Sequence, residues 1–438
     1  MDDQARHGYG LPYPQVANHI DDDPTPKDQA IYIPSVSPGL AITAFTQNWK
    51  RELPEGVGPG DLNFLDPKNK LFRISHAMTS AGQALTQKQD CLITARDRSK
   101  TIVIGDSGGY QIAHNRLTIQ NDKDRLKILH WLERVSDIAM TLDVPSGPVI
   151  SNRDYKFKNT QDCLAATLEH LEFFQKNRNT GQGRICFLNV IQGNSTKECL
   201  AWYDAVKKYD FEGWAIAGPM RHNFSYLCAL IIKMADDGQL QKKSWIHILG
   251  TCELEAAVMF TALQRAINEH INPDLRISYD TSSPFRLISN FLIYTIPAFD
   301  EKRMVLQSAR IPDGDHFIGS NYRWPWPSPL GDLLKIRDVC CQTNDGRNHC
   351  RDVQSGYYIQ HHNLASLCYA IALANRVFDS ESFSENRSIA IPTGAGVRAI
   401  YDVIKSGSMI TLGQYAPTFK NLRHSSEADG SDCDCDYD

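Results

Sequence analysis

The sequence predicts an α/β fold, a (β/α)8 TIM-like barrel followed by a C-terminal helical subdomain. Three observations carry this. Short apolar runs alternate with helix-period segments from residue 41 to 284, the pattern of a mostly parallel sheet. Nearly every run ends in a residue able to do chemistry or to let a ligand approach backbone: Asp106, Asp143, Gln192, Gly218, Gly250 and Asp280. A barrel brings all strand C-termini to one face. No G-x-G-x-x-G follows the first run and no G-x-x-x-x-G-K-[ST] occurs, as an open doubly wound nucleotide-binding sheet would require.

The elements follow in chain order. Residues 1–40, with Pro12, Pro14, Pro24, Pro26, Pro34 and Pro38, read as an irregular arm. The barrel core is expected over 41–310. Its strand candidates are Ala41–Phe45, Thr101–Ile104, Ile138–Leu142, Ile185–Ile191, Trp214–Ala217, Trp245–Leu249 and Arg276–Tyr279. Leu164, Leu168, Leu171 and Phe174 recur at helical spacing. Ser195 and Glu198 form a capping-box signature for a helix through Tyr209, and Glu253–His270 reads as another helix. Residues 311–424 form a Cys/His-bearing subdomain closed by helices at Asn363–Phe378 and Gly394–Lys405. The acidic stretch 425–438 has too little apolar content to fold.

Composition bounds the function. The 438 residues, 42% of them hydrophobic, suffice for a large core, and a net charge of −5 leaves room for a nucleic-acid site only as a local patch. The 12 cysteines are scattered, several inside apolar stretches, as in a cytoplasmic protein with reduced thiols. The N-terminus lacks a basic and apolar leader, and no run of about 18 apolar residues occurs, so no membrane association is expected.

Chemistry concentrates at two strand ends. Asp106-Ser107-Gly108-Gly109-Tyr110-Gln111 places a carboxylate before two glycines and an aromatic. Tyr279-Asp280 ends another run. Two such aspartates are the minimum for substitution at a sugar carbon, one as nucleophile and one as acid/base. Asp143 and Gln192 together would read a purine edge: the carboxylate accepts from N1–H and the 2-amino group, and the amide bonds the carbonyl. Gly213–Gly218 offers backbone close to a flat ring.

The ordered set Asp-Ser-Gly-Gly-Tyr-Gln, Leu-Asp, Ile-Gln-Gly, Ala-Ile-Ala-Gly, Ile-Leu-Gly and Tyr-Asp resembles the tRNA-guanine transglycosylase superfamily. The resemblance runs from about residue 100 to 285 and resumes at His362-Asn363-Leu364. It implies a (β/α)8 barrel with a zinc-binding insertion, and exchange of guanine in a polynucleotide for a 7-deazaguanine base through a covalent glycosyl–enzyme intermediate. Asp280 would be the nucleophile and Asp106 the general acid/base. Ser107, Gly109, Asp143, Gln192 and Gly218 would hold the base, with Tyr110 stacking on it. The chain departs from the tRNA enzymes after the nucleophile (Thr281-Ser282-Ser283-Pro284-Phe285-Arg286), at Gly218-Pro219-Met220-Arg221 where a glutamate-bearing loop is usual, and in lacking a Cys-x-Cys-x-x-Cys stretch. That pattern is similar to the DNA-guanine transglycosylases of phages and bacteria, associated with 7-cyano-7-deazaguanine in DNA. DNA is the expected partner and tRNA the alternative. A non-catalytic nucleic-acid-binding subunit would have no reason to keep both aspartates, and an unrelated barrel glycosidase would not need Gln192 and Gly218. A homodimer and helper proteins stay open.

For zinc, Cys340, Cys341, Cys350 and His362 supply four ligands of a closed structural site, with His349 and His361 as substitutes because adjacent cysteines seldom share an ion. Trp324-Pro325-Trp326 reads as a packed corner, and Lys207-Lys208, Lys242-Lys243, Lys302-Arg303 and Arg310 as possible phosphate contacts.

Overall fold

A computed structural model describes residues 25–84, 89–152, 154–251, 253–342, 350–379 and 389–427; for residues 83, 84, 110 and 423–427 it describes the backbone alone. Eight parallel strands form one sheet: β1 (Ile31–Pro34), β2 (His76–Ser80), β3 (Ile102–Asp106), β4 (Ile138–Met140), β5 (Cys186–Ile191), β6 (Gly213–Ile216), β7 (Trp245–Ile248) and β8 (Arg276–Thr281). Neighbours in sequence are neighbours in the sheet, and β1 pairs with β8. One bridge, Ser35 to Met78, with the Val36 N–H donating to the Met78 carbonyl at 3.3 Å, nearly closes the ring between β1 and β2. The architecture is a (β/α)8 barrel with helices outside the strands.

The strands from β3 onward are legible as strands because both of their faces are covered, so they read as largely apolar runs; β1 and β2 are not. The barrel interior is filled by Ile31, Ile33, Met78, Ile104, Ile138, Met140, Leu188, Val190, Ala215 and Trp245, one cluster among buried side chains. A larger cluster fills the space between the strands and the helices.

Two expectations change. Ala41–Phe45 is not a strand but part of a helix, Pro38–Thr46. Proline at the first helical position presets φ and loses no hydrogen bond there, and the buried face is Leu40, Ala41 and Ala44, at helical spacing. The first strand instead lies within the expected arm, at Ile31–Pro34. The helices Thr160–Asn177, Thr196–Val206 and Leu254–His270 fall where periodicity puts them. Ser195 caps the second through its hydroxyl, accepting from the Glu198 N–H at 3.3 Å, and that helix stops at Val206, short of Tyr209.

The face opposite the site is closed by acids at strand starts. Asp137, just before β4, accepts from the Val103 N–H of β3 at 2.8 Å, from Arg96 at 2.6 Å and from Arg98 at 3.0 Å. Glu212, before β6, accepts likewise from the Phe187 N–H of β5 and from Arg178. Lys207 and Lys243 belong to the same face, preceding β6 and β7, and are paired with Asp204, Asp237 and Asp210. They therefore sit at the wrong end of the barrel to meet a polynucleotide at the site.

After β8, an antiparallel hairpin, β9 (Leu292–Phe299) with β10 (Met304–Arg310), packs on the long helix Val353–Asp379. That helix and Ile391–Ser406 cover the barrel helix Leu254–His270. Both closing helices extend beyond their expected ends. Trp324 is buried edge-on against Trp326, 4.9 Å between ring centroids, so it forms a packed corner. Residues 416–427 form a last helix, and 428–438, with Cys433 and Cys435, lie outside the described residues. Among the described residues no helix is long and apolar enough to cross a membrane.

Candidate active site

A cavity of about 810 Å³ opens at the C-terminal ends of the strands. Asp106, Gly109, Asp143, Gln192, Gly218 and Asp280 all line it, delivered by β3, β4, β5, β6 and β8. Six positions taken from distant parts of the sequence thus converge on one pocket. Ser107 is fully buried behind it, its hydroxyl 3.4 Å from Asp143 Oδ1. The Tyr110 backbone belongs to the short helix Gly109–Ala113; its side chain lies outside the described part of the structure.

Each position has a local cause. Gly108 has φ of +96°, and a Cβ there would stand 3.2 Å from the Gly82 nitrogen, so the turn after Asp106 demands glycine. Gly218 has φ of +77°, and a Cβ would meet the Gly193 carbonyl at 3.2 Å and Gln192 Oε1 at 3.3 Å. Only a residue without a side chain leaves that wall flat beside Gln192.

The three carboxylates differ in surroundings. Asp143 is 4% exposed and accepts from Gln192 Nε2 at 2.8 Å. Burial pushes its pKa up to about 7, against the opposing hydrogen bond from Gln192, with the nearby Asp106 charge adding to the rise. Asp106 also titrates above the ordinary carboxylate range, first because it is desolvated, and further because of Asp280. Hydrogen bonds from Ser80 and from the Gly108 N–H pull the other way. Asp280, 4% exposed, accepts from the Gly250 N–H through Oδ1 at 2.8 Å. Asp106 is thus raised by burial, whereas Asp280 is anchored by a backbone donor.

His114 and Arg116 line the cavity without having been singled out from sequence, beside residues of the quoted stretches. Arg221 donates to the carbonyls of Gly250 (2.8 Å) and Gly218 (2.9 Å), tying the loops after β6 and β7 together. Gln111, quoted in the motif, has its Oε1 3.1 Å from the Ser80 hydroxyl oxygen. His114, Arg116, Arg221 and Arg286 line the cavity's basic part, with the three aspartates as its acidic part. After Asp280, Ser282 and Arg286 line the cavity, whereas Ser283 bonds the Tyr294 hydroxyl at 3.0 Å.

The metal expectation is corrected in its ligands. Cys340 Sγ, Cys350 Sγ and an Asp313 carboxylate oxygen lie within 4.8 Å of one another. His362 is elsewhere: its Nε2 donates to the Tyr294 carbonyl at 2.9 Å and its Nδ1 lies 2.7 Å from Ser328 Oγ. Both ring nitrogens are occupied, and burial pushes the pKa down to about 4. His361 is buried edge-on against Phe72, 5.5 Å between centroids. Cys341 Sγ turns toward Ser355 Oγ at 3.6 Å. Adjacent side chains on an extended segment point apart, which separates Cys341 from Cys340. His349 lies outside the described residues. Asp313 was hidden among ordinary loop acids.

No family model matches the chain, and no curated protein matches it. Fold and site together define a (β/α)8-barrel protein with a three-aspartate pocket at the C-terminal ends of the strands and a separate Cys2Asp cluster.

Proposed function

We propose that the protein is a transglycosylase that exchanges guanine in DNA for a 7-deazaguanine base, 7-cyano-7-deazaguanine, through a covalent aspartyl–glycosyl intermediate. The observation that carries the reading is the convergence of Asp106, Asp143 and Asp280 with Gln192 and Gly218 in one cavity. Two of the acids would carry the glycosyl exchange and the third would hold the base. Asp280 attacks C1′ as the C1′–N9 bond breaks, and the base leaves with the bonding pair and a proton from Asp106. The incoming base then attacks C1′ through N9, returns its N9 proton to Asp106, and breaks the C1′–Oδ bond to Asp280. Asp143, as carboxylate, accepts from the N1–H and 2-amino group. The Gln192 amide nitrogen has two hydrogens: one goes to Asp143, and the other remains for the base carbonyl.

Zinc fits the donor set. Two thiolates and a carboxylate within 4.8 Å suit a borderline-soft ion as three of four ligands. When bound, the ion would pin the segment around Cys350 to the loop after β10. The cluster residues are not among those lining the cavity, so it would be structural.

The test is nucleoside mass spectrometry of DNA and tRNA from cells making the protein and the 7-deazaguanine base, together with exchange of labelled guanine in vitro. A 7-deazaguanine nucleoside in DNA is expected. Its appearance in tRNA alone favours the tRNA enzyme, and exchange into neither polymer removes the transglycosylase reading.

A further inference from the structure

The nucleophile position does not stand alone. Trp245 and His247 alternate inward from β7, as Ser278 and Asp280 do from β8, and they form a polar column inside an otherwise apolar barrel. Trp245 Nε1 donates to Ser278 Oγ at 2.6 Å, and Ser278 Oγ lies 2.7 Å from His247 Nδ1. At the top of the column, His247 Nε2 stands 3.3 Å from Asp280 Oδ1. His247 and Ser278 are fully buried. In this geometry Nε2 makes no aligned hydrogen bond, although it is sealed from water.

The carboxylate assigns the direction of the column. A proton on His247 Nε2 faces Asp280 Oδ1, an acceptor; Nδ1 then accepts from the Ser278 hydroxyl, which in turn accepts from the Trp245 indole N–H, a group that can only donate. A buried donor with no other outlet, 3.3 Å from a carboxylate oxygen, is completed by a small turn of that carboxylate. Hydrogen bonds in unliganded sites commonly tighten when the reacting complex forms.

We infer that His247 is a positioning residue for Asp280. Together with the Gly250 N–H it holds Oδ1, so that Oδ2 is the oxygen that bonds to C1′. The assignment rests on the transglycosylase reading for its reaction. His247 transfers no proton: it donates to Oδ1 while Oδ2–C1′ forms, and again as negative charge returns to the carboxylate when that bond breaks. An aspartate free to rotate would offer either oxygen at varying distance from the sugar, and loss of alignment is expressed in the chemical step rather than in binding of the base.

The test follows exchange of labelled guanine into duplex DNA, with kcat and KM for guanine, and the rate of covalent adduct formation. His247→Leu is expected to lower kcat and adduct formation by about 10²-fold, while KM for guanine stays within about twofold. His247→Gln, whose amide nitrogen can occupy the place of Nε2, is expected to recover kcat to within about fivefold of the wild type. Ser278→Ala keeps the ring and removes the donor to Nδ1, so it reads the same role should the leucine variant fail to fold; about a tenfold fall in kcat is expected. Wild-type protein without guanine exchange overturns the transglycosylase reading. Wild-type exchange matched by His247→Leu and Ser278→Ala, or a leucine variant that loses guanine affinity rather than kcat, overturns the positioning role alone.

Discussion

Gln192 Nε2 lies 2.8 Å from Asp143 Oδ2, with both side chains buried in the cavity wall. The contact sets which end of the amide faces the cavity, where the proposed reading puts the base, because an ionised carboxylate accepts only from the nitrogen. On that reading it also couples base recognition to pH. Burial pushes Asp143 up to about 7, so near neutrality the group stands midway between donor and acceptor.

Guanine affinity should therefore depend on pH. A protonated Asp143 offers a hydroxyl to the N1–H and 2-amino donors, and donors facing donors repel. The favourable state is the carboxylate, so affinity should be full above pH 7 and fall as pH drops through about 7, approaching tenfold per pH unit. Stability runs the opposite way. The folded pKa lies above the unfolded one, so this group's stabilisation is complete below the unfolded value and is lost as pH rises through about 7. Calorimetric titration with guanine from pH 5.5 to 8.5 checks the first point. A flat profile in the wild type, or a sloping one retained in Asp143→Asn, contradicts it.

The two other aspartates should separate kinetically. Asp280→Asn should abolish trapping of an enzyme–DNA adduct while the thermal unfolding transition persists. Asp106→Asn should still form the adduct, with formation and breakdown slowed by about 10²–10⁴-fold through loss of proton transfer. Denaturing gels of quenched reactions distinguish the two, and an adduct in Asp280→Asn would move the nucleophile elsewhere.

How much of this was legible depended on where each residue stood. Asp106, Asp143, Gln192, Gly218 and Asp280 follow strand-length apolar runs directly, so a barrel topology alone predicts their convergence. His247 sits inside such a run, Trp-Ile-His-Ile, where a histidine reads as a satisfied core residue; only the facing Ser278 and Asp280 show otherwise. β1 was hidden because Ile-Tyr-Ile-Pro is short and ends in proline, which is tolerated here at the seam that carries a single bridge. β2, His-Ala-Met-Thr-Ser, has no apolar run, its pairing being supplied by β3. The cysteine cluster needed Asp313, which comes from a loop that no spacing rule connects to Cys340.

The corrected ligand set makes a distinct prediction for the metal. Elemental analysis should find about one zinc per chain. Cys340→Ser and Cys350→Ser should lose it, and Asp313→Ala should weaken it. Cys341→Ser and His362→Ala should retain it. His362→Ala should instead lower stability by about 1–3 kcal/mol, because Ser328 and the Tyr294 carbonyl lose a buried partner. Zinc lost from His362→Ala with an unchanged melting temperature would restore the histidine as a ligand.

At the closed end of the barrel, Asp137→Ala should be costly without touching chemistry. The Arg96 side chain is 1% exposed and would keep its charge with its main partner gone. The Val103 N–H of β3 would lose its acceptor as well. A loss of about 3–5 kcal/mol is expected for stranding one member of a buried pair. Urea unfolding measures it, and exchange activity per folded molecule should be unchanged below the transition.

The last prediction concerns the polynucleotide. A duplex keeps its guanine stacked, so the enzyme must extrude the base, at a cost of roughly a few kcal/mol, whereas a tRNA loop presents it unpaired. Contacts that offset this cost have to come from around the cavity, because the lysines at the start of β6 and β7 are paired with acids at the far face. Arg116 and Arg286 line the cavity, and Arg286 ends the short helix Ser283–Arg286, six residues after Asp280, the proposed nucleophile. If the strand's phosphates meet these guanidinium groups, exchange into DNA should fall steeply with added salt. Arg286→Ala should then weaken DNA binding similarly across sequences and reduce the slope of log affinity against log salt by about one. Guanine affinity should be unaltered, since Arg286 is not among the groups proposed to hold the base. A salt slope unchanged in Arg286→Ala places the phosphates elsewhere, and labelled guanine entering tRNA but not DNA makes Arg286 an RNA contact instead.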